Sequence, residues 1–283
     1  MSIVEQMDSA FRCERLQELA GGHAEAYQTA TPFPHIYLDN VFPDAILDAI
    51  VGEFPGPGDV DWIRFDDHNQ VKLASNDDRH LGLTTRAFLH HLNGSAFLRF
   101  LETLTKIDDL VGDAHLAGGG MHQIQRGGKL DVHIDFNQHE TLGLERRVNV
   151  LVFLNREWDE SYGGHLEFWD PTVTTCHQKI LPVFNRMAVF STSEISQHGH
   201  PEPLTCPPDR TRQSIAAYYY TSTIRAVTGA QDDYHNTLFR KRPGEKEPQG
   251  TRGLLRRFVP PILLDAKNVL LRPGKSATDS GDD

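Results

Sequence analysis

The sequence predicts a mainly β fold with a helical buttress: an all-β barrel or sandwich braced by helices on one side. Three observations point there. Apolar residues recur at helical spacing along the first part of the chain. From Gly118 the texture changes to short runs rich in β-branched and aromatic residues, cut by clusters of Gly, Pro, Asn and Ser. No repeat of solenoid length interrupts the pattern. Helices followed by many short strands are the mark of a β layer with its helices gathered on one face.

Each element has its own signal. Residues 1–30 form a helical lead-in, with Phe11, Leu16 and Leu19 at helix-like spacing. His35-Ile36-Tyr37-Leu38 is a short strand. Pro43 then announces a helix through about Phe54, with Ala45, Ile46, Ala49 and Ile50 on one face. FPGPGD is a turn, and Trp62 to Phe65 a strand. The loop SNDDRH separates that strand from helices near 84–92 and 95–106. Six strand candidates follow: GGGMHQIQ, LDVHIDF after the turn RGGK, RRVNVLVFLN, GGHLEFWD, MAVFST and RQSIAAYYYTS. The β domain spans residues 31–225. Residues 226–283 form a C-terminal extension, partly disordered: RKRPGEKEPQGTRG has the composition of a mobile loop and KSATDSGDD of a disordered acidic end, while FVPPILLDAKNVLL between them has the apolar content to dock on the barrel.

Composition limits the function classes. The chain has 283 residues, 39% hydrophobic and 24% charged, enough for a sizeable core. No apolar run is long enough to cross a membrane as a helix, and the acid-bearing N-terminus is unlike a signal peptide. The net charge of -11 argues against broad binding to a phosphate backbone, so no nucleic-acid partner is expected. Cys13, Cys176 and Cys206 form no paired motif, which fits reduced thiols in a cytoplasm. The oligomeric state is open, a homodimer included.

The chemistry is concentrated in a few residues. His133-Ile134-Asp135 falls in or at the end of a strand, where residues two apart face the same side and can reach one ion together. Two histidines and one carboxylate leave open positions on an octahedral metal and suit Fe(II). The pair alone is weak, since His165-x-Glu167 and His200-x-Glu202 have the same form, and a lone His-x-Asp is more often structural. His198 supplies a third donor in a polar segment after the strand MAVFST, with His200 as its alternative. Arg212 opens the strand RQSIAAYYY, and its planar fork suits a carboxylate. Same-face alternation puts Arg212, Ser214, Ala216 and Tyr218 together. Arg210 is the immediate rival of Arg212.

Assembled in this order, the residues resemble the Fe(II) and 2-oxoglutarate-dependent oxygenase superfamily, and within it the prolyl 4-hydroxylase-like branch. The resemblance lies in HID, FLN (153–155), GGHLEFWD (163–170), QHG (197–199) and Arg212, and TPFPHIYLDNVFPDAILDAIVGEF is similar to that branch's opening strand and helix. It implies a double-stranded β-helix, or jelly roll, core. It implies that His133, Asp135 and His198 hold iron, that Arg212 binds the distal carboxylate of 2-oxoglutarate, and that O2 is consumed with release of succinate and CO2; strand alternation makes Ser214 a candidate hydroxyl for the same carboxylate. Ascorbate is an optional addition to these cofactors. The carboxylate of Asp135 favours hydroxylation over halogenation. The Gly after His198 favours it over His200.

There are departures as well. Where the branch often has a tyrosine upstream of the first histidine, this chain offers His122, Gln123 and Gln125; the two glutamines share a strand face, and either is a candidate hydrogen-bond donor. The longer gap before Arg212 keeps Arg210 in contention. Asn149, Leu151 and Phe153 share a face that the resemblance turns inward, with Asn149 beside the iron. Tyr218 and Trp169 are candidate pocket-lining residues. SNDDRH and QHETLGLERR are candidate lids. Arg146 and Arg147 have an anionic substrate as one explanation and a solvated charge cluster as the simpler one. The expected substrate is a small molecule, amino acid or prolyl-like peptide. The rival readings are a non-catalytic sensor barrel that binds metal and 2-oxoglutarate, and a cupin-type metal enzyme.

Overall fold

Short-range signals start the helices and tertiary burial completes them. In the computed structural model, which describes residues 1–222 and 234–245, Ser2 and Glu5 form a reciprocal capping box at the start of α1 (Ile3–Ala10). In α2 (Cys13–Thr29) Leu16, Ala20, Ala24 and Tyr27 make one buried stripe. After β1 (His35–Asp39) comes α3 (Asp44–Glu53), then the hairpin of β2 (Ile63–Asp66) and β3 (Gln70–Ser75). The helices α4 (Leu83–Leu92) and α5 (Ser95–Thr105) follow, α5 with Phe97, Phe100, Leu101 and Leu104 inward.

The remaining elements are strands: β4 (Val111–Gly112), β5 (Gly120–Gln125), β6 (Lys129–Ile134), β7 (Glu145–Phe153), β8 (Leu166–Trp169), β9 (Cys176–Ile180), β10 (Arg186–Ser191), β11 (His198–His200), β12 (Thr211–Thr221) and β13 (Leu238–Phe239). Their antiparallel path runs β1-β10-β7-β12-β5-β3-β6-β11-β8-β9. Strands far apart on this path meet face to face. Phe168 on β8 and Phe190 on β10 have ring centroids 5.1 Å apart. The sheet therefore curls into a nearly closed barrel, as the sequence predicts.

The two faces of the long strands do different work. Val148, Val150 and Val152 of β7, Met187 and Val189 of β10, and Ile215, Ala217 and Tyr219 of β12 join the helices in one large core outside the barrel. The alternate residues point inward, where Phe153, Leu166, Phe168, Ala188 and Phe190 form a second, smaller cluster. Burial on both faces explains why these strands are near-continuous apolar runs rather than alternating ones. Several strands carry too little such signal to be foreseen: β3 (QVKLAS) and β9 (CHQKI) are short and half polar, and β4 and β13 have two residues each. Residues 1–30 form α1 and α2. Of the C-terminal extension, FVPPILLDAKNVLL, KSATDSGDD and most of the polar loop lie outside the described residues. The compact unit spans Met1–Pro243, and β13 in it pairs with β6. Among the described residues, no helix is long and apolar enough to cross a membrane.

Candidate metal centre

His133 lies near the end of β6, and Asp135 sits just past that end. On the adjacent β11, His198 is the register partner of His133. Antiparallel neighbours in direct register bring their side chains together on one face. The two imidazoles accordingly have centroids 4.4 Å apart. Each ring has its Nδ1 on a backbone carbonyl, His133 on Asp131 at 2.8 Å and His198 on Ser196 at 2.9 Å. Those bonds fix Nδ1 as the protonated nitrogen and leave both Nε2 lone pairs facing inward. Nε2 of His133 is 3.5 Å from Asp135 Oδ1, and Nε2 of His198 is 3.3 Å from Asp135 Oδ2. The three donor atoms lie within 4.8 Å of one another. Two imidazole nitrogens and a carboxylate, with no cysteine in the cluster among the described residues, make a donor set that fits Fe(II).

Local sterics hold His198 in place. A Cβ on Gly199 would stand 2.8 Å from the carbonyl oxygens of both Leu130 and Asp131, so β11 can press against β6 only with glycine here. The register steps from His198↔His133 to His200↔Leu130, which puts the extra residue on β6 and leaves β11 alternating. His200 therefore shares the inward face of His198 without reaching the Asp135 cluster.

Asp135 is braced from behind. Its Oδ2 accepts from Asn149 Nδ2 at 2.7 Å and lies 3.0 Å from Arg146 Nη2. Arg146 Nε donates to Asn149 Oδ1 at 2.9 Å. The guanidinium is buried, 3.5 Å from the Tyr218 ring centroid and 4.3 Å from that of Phe136. Burial alone would raise the Asp135 pKa, but the Arg146 charge and the histidines hold it well below the usual carboxylate range. Burial, then the neighbouring His198, pushes the His133 imidazole below its ordinary value. The centre thus offers an ionised carboxylate beside a neutral His133 at physiological pH.

Arg212 and Ser214 are buried on the inward face of β12, along with Tyr218. Arg212 Nε donates to Gly164 O at 2.8 Å, and burial pushes the guanidinium down to about 10. Arg210 lies off the barrel interior, with its guanidinium on the carbonyl of Arg156. Of the two arginines, only Arg212 faces the centre.

Residues 119–220 match the family model of the 2OG-Fe(II) oxygenase superfamily. The chain carries a 2OG-Fe(II) oxygenase domain. The match implies Fe(II), 2-oxoglutarate and O2 as the cofactors. No curated protein matches the chain. The fold of this oxygenase is similar to that of a prolyl hydroxylase from Trichoplax adhaerens, solved with a fragment of the hypoxia inducible factor oxygen degradation domain. That match has TM-score 0.51 and 16% identity, and it covers 77% of this chain and 96% of the other. A prolyl 4-hydroxylase from Phytophthora capsici gives TM-score 0.52 and 18% identity, covering 78% and 71%. The jelly-roll core expected from the sequence is the fold these structures share.

Other expected positions need correction. Gln123 and Gln125 do not face the oxygenase centre. Ser214 pairs with His122, and Arg212 with Ile124, so the inward residues of β5 are His122 and Ile124. Gln123 instead donates to Pro55 O and accepts from Thr211 Oγ1, on the helical side. Trp169 also points outward, with its indole N–H on Glu167, while Phe168 takes the inward place. Arg146 is no solvated charge. Arg147 fits that description, partly exposed beside Glu145. SNDDRH begins at the end of β3 and closes as a short 3-10 turn, with Ser75 bonded to His80 at 2.8 Å. QHETLGLERR runs from a loop pinned by buried His139 into β7.

Lys72 on β3 is an inward residue that sequence reasoning missed. It shares a face with Ala74, whose register partner is His122. Burial, offset in part by Asp135, pushes the Lys72 ammonium down to about 8. Burial and the charge of Lys72 push His122 down to about 3, so its ring is neutral. Nothing marks Lys72 in the sequence except the weak alternation of QVKLAS.

Proposed function

We propose that His133, Asp135 and His198 hold Fe(II), that Arg212 with Ser214 binds the distal carboxylate of 2-oxoglutarate, and that the enzyme hydroxylates an amino acid, a prolyl-like peptide or a related small molecule with release of succinate and CO2. One observation carries the reading: two Nε2 atoms and one carboxylate converge inside the barrel, with both Nδ1 atoms already committed to carbonyls. Bound there, Fe(II) supplies the oxidation that couples decarboxylation of 2-oxoglutarate to oxygen insertion into the substrate. The chain's own residues do the rest. Asn149 and Arg146 hold Asp135 by Oδ2 and so orient the carboxylate, with Oδ1 toward His133 and Oδ2 toward His198. Arg212 offers a planar fork to a carboxylate from the inward face of β12. The rings of Phe153, Phe168 and Phe190 keep the interior apolar and exclude water. The peptide in the Trichoplax structure supports a peptide-like substrate, and the three free cysteines support a reducing, cytoplasmic setting.

The test is an anaerobic titration with Fe(II) and 2-oxoglutarate followed by visible absorbance, then succinate release on admitting O2. A weak charge-transfer band with succinate is the expected result. The band without succinate on any added substrate favours a sensor barrel, and metal binding without the band favours a cupin-type enzyme. His198→Ala is expected to lose metal binding, at least 100-fold in affinity, and His200→Ala to keep most of it. The reverse pattern moves the ligand to His200.

A further inference from the structure

Past Arg212, the barrel interior holds two polar groups that no carboxylate pairs among the described residues. His200 is 4% exposed, and neither of its ring nitrogens has a hydrogen-bond partner. The other fully inward histidines, His133 and His198, are each anchored through Nδ1. A buried imidazole with two idle nitrogens is costly unless something else fills its hydrogen bonds.

Lys72 is the second, a half-buried cation whose Nζ lies 4.9 Å from the Phe65 ring centroid. The register Leu73↔Gln123 on β3 and β5, followed one step along, puts Lys72 beside Ile124, which is itself the partner of Arg212 on β12. Lys72 and Arg212 thus flank Ile124 in one row across three strands, about 10 Å apart at the backbone. Both side chains are long enough to reach a common point between them. Among the described residues, neither has a carboxylate at salt-bridge distance. Two cations facing one enclosed space repel each other and call for an anion.

At the same end of the barrel Ile124 packs with Trp158, Leu204 and Cys206 in an apolar cluster. An anion between Lys72 and Arg212 would therefore lie against apolar side chains as well as cations. It must also be reachable from the metal centre, since Arg212 and Tyr218 lie on one face of β12 and Tyr218 stacks on the arginine that holds Asp135.

We propose that Lys72 and His200 complete, with Arg212, a three-point pocket for the carboxylate of 2-oxoglutarate remote from the metal. This rests on the oxygenase reading above. It gives His200 a role distinct from that of His198, and it fills the place for which the sequence offered Gln123 and Gln125. Arg212 provides the fork, Lys72 a second positive charge, and His200 an N–H from the opposite wall.

The test is calorimetric titration of the Mn(II)-loaded protein, without O2, with 2-oxoglutarate and with 2-oxobutanoate, which lacks the remote carboxylate. Lys72→Met keeps the length of the side chain and removes its charge. It is expected to weaken 2-oxoglutarate binding at least tenfold and to change 2-oxobutanoate binding less than twofold, with Lys72→Arg recovering most of the loss. His200→Phe is expected to weaken 2-oxoglutarate binding severalfold while Mn(II) affinity stays within twofold. Unchanged 2-oxoglutarate affinity in Lys72→Met overturns the proposal, as does equal loss for both acids. In either of those cases the oxygenase reading survives. If the unsubstituted protein binds no 2-oxoglutarate, both fall together.

Discussion

Arg146 shows what one side chain can gain from a backbone irregularity. Strict alternation from Asn149 would turn Arg147 inward and leave Arg146 in solvent. The register instead passes from Tyr219↔Val148 to Tyr220↔Arg146, so β7 carries one extra residue there. The bulge exchanges the two arginines and delivers Arg146 to Asp135. A sequence pattern cannot show this, because the bulge changes pairing rather than composition. Strand periodicity alone gave only a weak pair, His133 and Asp135; the resemblance added His198, and the fold brings the three donor atoms within 4.8 Å of one another. Arg146→Gln is expected to weaken Fe(II) or Mn(II) affinity by 10- to 100-fold, measured by metal titration, because Asp135 loses the cation that orients it. Retention of full affinity would leave Asn149 as the sole brace.

At the scale of elements, one of the shortest is the most demanding. The three-residue β11 carries two inward histidines on either side of Gly199, with β6 carbonyls closing the space behind. Gly199→Ala is therefore expected to push β11 away from β6. Metal affinity should fall at least tenfold, and the melting temperature should drop by several degrees. Titration and thermal denaturation together check this, and a variant that melts and binds like the parent would show that the strand can shift at no cost. The order and bounds of most strands were legible, since β7, β10 and β12 are long and apolar. Lys72 was not, because its strand β3 is short and half polar. Its place beside Arg212 is set by pairing with β5, which is a long-range fact.

For the whole molecule, stability and chemistry sit on opposite sides of the same strands. The helical core lies outside the barrel and the metal centre inside it. Leu16 on α2 is fully buried in the outer core. Leu16→Ala is expected to cost about 2–5 kcal/mol of stability while metal affinity at moderate temperature stays within twofold. Denaturant melts and metal titration separate the two effects. A parallel loss of metal binding would mean that the helices also set the spacing of β6 and β11.

The division of labour in β12 has a consequence for how the chain can vary over generations. Arg212, Ser214 and Tyr218 alternate with Gln213, Ile215, Ala217 and Tyr219 along one strand. Losing or gaining a single codon between Ser214 and Tyr218 would swap the two sets from that point on, sending a core side chain into the reaction chamber and a pocket side chain into the helices. Length changes within β12 are survivable only in even numbers, or when a compensating bulge restores parity, as β7 has done beside Arg146.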